Sequence, residues 1–244
     1  YNSEYNIIAL DGEHLGTGLY AVPKSFVIPY AKHENYIDSL LQVCKEEKVD
    51  LLFPGMDAEL KLLAANVDKF KEIGTTVVVS RPEVVEISDN KLLTYKILSE
   101  IGVGIPFTAD LQGFQMEQAI FPLIVKQKVG GARSKNVFLL KNKLDWENIK
   151  QTIIGNESEY IVQEYIEGDE FTCGTVNLNN ACKGVIVMKR TLRDGDTYKC
   201  FTQKHEVIEE SVRKLVEHIK PFGACNIQLR TKDGKPFVFE INAR

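Results

Sequence analysis

The sequence predicts an α/β parallel-sheet domain followed by a strand-richer α+β region. Three observations predict it. Up to about residue 100, short apolar strands alternate with amphipathic helices, the rhythm of a parallel sheet covered on both faces. Beyond Gly104 and Pro106 strands outnumber helices, and tight-turn residues join several of them. The chain ends on FVFEINAR, 237–244. Alternation across a strand puts Phe239, Ile241 and Ala243 on one side of it and Glu240, Asn242 and Arg244 on the other.

The elements follow in order. YNIIAL and SFVIP are strands, and YNIIAL leads into Asp11 as the second strand of an α/β unit does. An earlier strand and its glycine turn are therefore expected to precede this sequence, and the last strand is expected to continue past Arg244. Residues 35–48 carry Tyr36, Ile37, Leu40, Leu41 and Val43 near helical spacing. DLLFPG is a continuous apolar strand, Asp57 opens a helix through Leu60, Leu63 and Ala64, TTVVVS is a further strand, and Pro82 starts a short helix. At Ser88 capping residues open a boundary helix that stops at Gly102 and Gly104 before Pro106. FPLIVK and VFLL are strands around the loop KVGGARSKN, and LDWENIKQTI is helical. YIVQEYI, DEFTCGTVNL and KGVIVMKR are strands with turns at Glu167–Gly168 and Asn179–Asn180. A helix covers 206–220, and ACNIQLR and PFVFEI form a hairpin about a turn at 232–235.

Composition narrows the function. The chain has 244 residues, a net charge of -4, 44% hydrophobic and 26% charged residues, as a soluble globular protein has. The slight acidity argues against nucleic acid as the main partner, and no apolar run is long enough to span a bilayer. No signal peptide is visible. Cys44, Cys173, Cys182, Cys200 and Cys225 form no CxxC pair, which suits free thiols in the cytoplasm. The four histidines do not cluster with them, which argues against zinc.

Four elements carry candidate chemistry. Lys126 ends an apolar strand, and Gly130, Gly131 and Ser134 follow in a loop whose backbone amides suit a phosphate; the same loop also fits an ordinary glycine hairpin. In QEYIEGDEFT the backbone of Glu164, Tyr165 and Ile166 could meet an adenine edge, and Glu170 the ribose hydroxyls; the alternative is a hairpin with surface acids. Gln228 lies across from Glu240 and Asn242 in the closing hairpin, an oxygen set suited to a hard cation, with Arg244 able to reach a phosphate. Lys189, Arg190 and Arg193 in MKRTLRDGD suit a carboxylate or a phosphoryl group, or form a plain surface charge cluster.

The order of these elements resembles the ATP-grasp superfamily, above all the ATP-grasp modules of carbamoyl-phosphate synthase large subunits and stand-alone proteins similar to them. The first part of the chain resembles the domain that precedes ATP-grasp in those proteins, so the likeness covers nearly the whole chain. It implies a Rossmann-like domain at 1–88, incomplete at its N-terminus, and an ATP-grasp domain at 89–244 made of subdomains 89–160 and 161–244. It implies ATP between the subdomains, with Lys91 and Lys126 on the phosphates, the glycine loop closing over them, 164–166 at adenine and Glu170 at the ribose. Gln228, Glu240 and Asn242 would hold magnesium, with manganese as the alternative ion. Lys126, Arg190 and Arg244 would be catalytic. Lys91 and Lys126 stand where synthase modules tend to carry arginine, and Gln127 replaces a frequent proline, which bears on bicarbonate or carbamate as the substrate.

The implied activity is an ATP- and Mg-dependent carbon–nitrogen ligase that activates a carboxylate, or bicarbonate or carbamate, as an acylphosphate for attack by an amine or ammonia. A kinase-like enzyme that stops at phosphorylation and a non-catalytic nucleotide binder are the rivals. Arg190, Arg193 and His205 are candidates for the acceptor pocket, and such proteins are often homodimers.

Overall fold

The computed structural model describes residues 4–130, 136–193 and 195–244. The chain forms two compact units, Tyr1–Val79 and Ser80–Arg244. In the first, β1 (Ile8–Asp11) pairs in parallel with β2 (Lys24–Val27), and β3 (Leu51–Leu52) with β4 (Thr76–Val77). The strands are shorter than the apolar runs that announced them, and they form two ladders of two strands. Between them lie α1 (Tyr36–Glu46) and α2 (Asp57–Glu72). Each buries one stripe at helical spacing: Tyr36, Leu40, Val43 and Cys44 on α1, and Leu60, Leu63, Ala64 and Phe70 on α2. Glu59 closes the start of α2, its Oε2 accepting from the backbone of Gly55 at 2.8 Å and Met56 at 3.1 Å.

The second unit opens with the two helices expected from Pro82 and from Ser88, but they meet at Asn90 rather than at Ser88. They are α3 (Pro82–Asp89) and α4 (Lys91–Glu100). Asn90 breaks them. Its backbone is extended, and its Oδ1 accepts from Leu92 N at 3.1 Å and Leu93 N at 3.2 Å. Ser88 is an interior residue of α3 whose hydroxyl donates to Val85 O. α3 packs on α4 and on the last strand, within the compact unit Ser80–Arg244.

Two antiparallel sheets follow. The smaller contains β5 (Thr108–Asp110), β6 (Leu123–Gln127), β7 (Phe138–Leu140) and β8 (Tyr160–Glu164) in the order β5-β8-β6-β7, with α5 (Lys143–Ile153) against it. β8 belongs to this sheet, whose last strand ends at Glu164. Leu123, Val125, Leu140, Ile153 and Val162 form its core.

The larger sheet has the order β11-β10-β9-β12-β13, from β9 (Glu170–Leu178), β10 (Ala181–Arg193), β11 (Asp196–Thr202), β12 (Gly223–Lys232) and β13 (Lys235–Asn242). Asn179 and Asn180 turn the chain from β9 to β10 at φ 54° and 59°, and Asp233 and Gly234 turn it from β12 to β13 at 52° and 73°. Two successive left-handed residues make the turn that matches strand twist. Phe171, Cys173, Ile227, Leu229 and Ile241 on one sheet face pack on Ile208, Val212 and Leu215 of α6 (Glu206–Ile219). Each such side chain contributes roughly 1.5–3 kcal/mol by leaving water.

Two features of this sheet depart from expectation. β11 has no strand signature in the sequence, because every one of its residues is exposed and none is selected for burial. In the closing hairpin, Gln228 faces Glu240 but Leu229 faces Val238, so Phe239 is the extra residue of a bulge. Val238 therefore joins Ile241 and Ala243 in the core, and Phe239 does not.

Candidate nucleotide and metal site

The face of the larger sheet opposite α6 is polar. Gln228 and Glu240 are direct cross-strand partners, as are Asn226 and Asn242, which brings all four side chains to one face. Asn242 Nδ2 lies 3.3 Å from Glu240 Oε1 and 3.4 Å from Asn226 Oδ1. Gln228 Nε2 lies 3.5 Å from the same Asn226 oxygen, and Asn226 Nδ2 donates to Thr172 Oγ1 at 2.5 Å. The three expected metal ligands are thus gathered. Asn226 joins them and was not foreseen, although its place two residues before Gln228 puts it on the same face. One carboxylate among amide oxygens is a donor set for a hard cation that keeps waters or phosphate oxygens. Among the described residues no group of three His, Cys, Asp or Glu side chains stands ready for a metal, so any ion here relies on the amides.

Two ammonium groups face this set. Lys126 is the next-to-last residue of β6 and is only 8% exposed. Burial pushes its pKa down to about 8, with Glu240 opposing the shift and Lys91 adding to it. Its Nζ lies 5.6 Å from the ring centroid of Phe239, so the bulge that removes Phe239 from the core aims it at the lysine. Lys91 is the first residue of α4. Burial lowers its pKa too, opposed by Glu240 and Asp89. Its Nζ donates to Gly130 O at 2.6 Å, while Gly130 N donates to Asp89 Oδ1 at 2.8 Å and Lys91 N to Lys128 O at 3.0 Å. The start of the glycine loop is therefore pinned to the α3–α4 junction. Gly131 and Ser134 lie outside the described residues.

Further along the same face, Glu170 sits between two guanidinium groups. Arg190 donates to Oε1 through Nε at 2.9 Å and Nη2 at 2.5 Å, and Arg230 donates to Oε2 through Nε at 3.0 Å and Nη2 at 2.6 Å. Four N–H donors match the four lone-pair sites of a carboxylate. Glu170 was expected to accept from ribose hydroxyls; here those sites are filled, and a hydroxyl has to replace one donor. Arg190 also donates to Gln228 Oε1 at 2.8 Å, tying this trio to the metal set. Arg230 reaches the expected adenine segment. Its Nη1 donates to Tyr165 Oη at 2.6 Å and Ile166 O at 3.2 Å, and its guanidinium lies 4.7 Å from the Tyr165 ring centroid. Tyr165 N donates to Pro122 O, and Glu164 N to Phe107 O. Arg230 escaped the sequence reading, though it too lies two residues from Gln228 on the polar side.

The remaining candidates are engaged elsewhere. His205 caps α6, its Nδ1 accepting from Ile208 N at 3.4 Å, with its ring edge-on to Phe171. The guanidinium of Arg193 lies over the Tyr198 ring at 3.4 Å, and Lys189 pairs with Asp169 at 2.7 Å. Arg244 is exposed, two residues beyond Asn242. The arrangement can hold a polyanion on two lysines beside a hard cation, with one edge tied to the segment after β8.

Residues 1–78 match the family described as PylC-like, N-terminal domain, and residues 88–244 the family described as ATP-grasp domain. D-alanine–D-alanine ligase A of Bacillus cereus is 27% identical over 232 residues, covering 83% of this chain and 76% of that protein. Among solved structures, the L-amino acid ligase of Bacillus licheniformis superposes with a TM-score of 0.73 at 18% identity, covering 97% of this chain and 66% of that one. The N5-carboxyaminoimidazole synthetase of Staphylococcus aureus, solved with ADP, gives 0.76 at 18% identity, covering 98% and 64%. This chain thus spans about two thirds of those two structures' chains, and at such identities the likeness is one of fold.

Proposed function

The chain belongs to the ATP-grasp family of ATP-dependent ligases, and from that premise we propose that it activates a small carboxylate with ATP and magnesium and joins it to an amine or ammonia. The observation that carries this reading is the convergence of Gln228, Glu240 and Asn242 on the face that Lys91 and Lys126 address from a second sheet and a helix. A magnesium ion held there supplies Lewis-acid neutralisation of the phosphate oxygens. Lys91 and Lys126 take the phosphates of ATP, the backbone at 164–166 takes the adenine, and Arg244 and Arg190 steady the phosphoryl group in flight.

A carboxylate resists nucleophiles because its charge repels them. Its oxygen attacks the γ-phosphorus, the bond to the bridging oxygen breaks, and ADP leaves. The acylphosphate so formed is attacked at carbon by the amine, phosphate departs with the electron pair of the C–O bond, and the amine proton passes to solvent. No nucleophilic side chain takes part; positioning and neutralisation carry the rate. The names of two relatives, D-alanine–D-alanine ligase and L-amino acid ligase, support amino acids as the substrate class. Carbamoyl-phosphate-synthase-like use of bicarbonate or carbamate rests on motif order alone, and lysines at 91 and 126 weigh against it. No described helix is long and apolar enough to cross a membrane. The cytoplasm is the proposed setting, in keeping with cysteines that are free thiols. A homodimer is the proposed assembly.

The test is phosphate release from ATP across a panel of small carboxylates and amines. Release that needs both acid and amine supports ligation. Release with acid alone turns the reading into a kinase, and none with any pair turns it into a nucleotide binder.

A further inference from the structure

Arg230 is part of no motif that carries the proposed function, yet its guanidinium makes four hydrogen bonds and lies against an aromatic ring. It leaves β12 two residues after Gln228 and engages three partners with one planar group. Two N–H donors go to Glu170, one nitrogen spans the Tyr165 hydroxyl and the Ile166 carbonyl, and the plane lies against the Tyr165 ring. We propose that Arg230 is a positioning residue that fixes the 164–166 segment and Glu170 to the strand bearing Gln228, so that it sets affinity for the nucleoside half of the nucleotide and not for the phosphate half.

The geometry divides the site in this way. Tyr165 and Ile166 follow β8 in the smaller sheet, whereas Gln228 lies in the larger one. Among the described residues no strand pairing joins β8 to the larger sheet, and the exposed Lys232–Glu164 ion pair at 3.7 Å is a weak tie. The guanidinium makes the stronger link, and only a fork that also stacks can satisfy a carboxylate, a hydroxyl and a carbonyl together. Lysine offers a point charge without the fork or the plane. At the phosphate end, Lys91 and Lys126 are held by α4, Gly130 and β6, none of which Arg230 touches. Removing Arg230 leaves Glu170 still paired with Arg190, so the buried carboxylate does not lose all compensation.

This inference rests on the nucleotide reading above, and the experiment separates the two. Binding of Mg–AMP-PNP and of Mg–tripolyphosphate, which has no nucleoside, is measured by calorimetry on the full chain and on Arg230→Met and Arg230→Lys. The expected result is about a tenfold or greater rise in the dissociation constant for AMP-PNP in both variants, the loss of about one charge-assisted contact pair. Tripolyphosphate affinity is expected to stay within about twofold. Unchanged AMP-PNP binding, a parallel loss of both probes, or full rescue by lysine each overturns the proposal; the parallel loss marks a general structural role. If the unaltered protein binds neither probe, the nucleotide reading itself fails first.

Discussion

One sheet face presents two glutamates to two cations each, and the two pairs of cations are of different kinds. Glu170 meets the guanidinium groups of Arg190 and Arg230 in direct bidentate contact. Glu240 meets the ammonium groups of Lys91 and Lys126 through their fields, with an amide as its near neighbour. A guanidinium is a rigid fork that saturates a carboxylate; an ammonium is a strongly hydrated point charge on a flexible stem. The first arrangement locks an acid into the scaffold. The second leaves an acid and two cations that an ion and a polyphosphate can claim between them. The same residue type is therefore locked between guanidinium groups at one end of the face and set in the field of two ammonium groups at the other.

The largest expected effect breaks this contrast at its open end. Glu240→Ala removes the sole carboxylate of the amide set, and ATP turnover at saturating magnesium is expected to fall by about 100- to 1000-fold, read as ADP release over a magnesium titration. Normal turnover in that variant would make both acids structural and end the comparison.

Next comes proton loss from Lys126. Its pKa is pushed down to about 8 from an ordinary 10.5. Below 8 folded and unfolded chains both carry the proton. Between 8 and 10.5 the unfolded chain binds more, so the Lys126 contribution makes stability rise with pH in that window. The ammonium that a phosphate needs disappears over the same window. Nucleotide affinity is expected to fall above pH 8 by up to about tenfold per pH unit, and Lys126→Arg to flatten the profile. A wild-type profile that is already flat through pH 9.5 would refute the shift.

At the locked end, Glu170→Gln leaves two guanidinium groups sharing a neutral amide. A loss of about 3 kcal/mol is expected in denaturant unfolding of the second unit. A change no greater than a surface substitution gives would show that Glu170 is as open as Glu240. The smallest effect calibrates the rest. His205→Ala removes a helix cap and is expected to cost about 1 kcal/mol while leaving turnover intact; lost turnover at unchanged stability would return His205 to the acceptor pocket.

Much of this was legible in the strand periodicity. Alternation from Gln228, Glu240 and Asn242 predicts their common face, and the two Asn- or Gly-bearing turns predict the hairpins that align them. The same alternation, carried two residues either way along β12, points to Asn226 and Arg230, so the signal for both is present in the sequence. Phe239 is different. Nothing in FVFEINAR tells which residue the bulge will take up, because that depends on register against β12. β11 is different again, since an all-exposed strand carries no burial pattern to read.

The sequence by itself determined most of the strands and helices, the exposed β11 excepted, and it placed the acid and amides of the last hairpin on one side of it, because side-chain alternation and turn chemistry are local. Only the tertiary structure decided that Lys91 from a helix and Lys126 from another sheet would both lie in the field of Glu240, and that Arg230 would close on Glu170 and Tyr165. Those encounters join residues far apart along the chain, and their energies depend on burial and on the direction of approach, which no local pattern encodes.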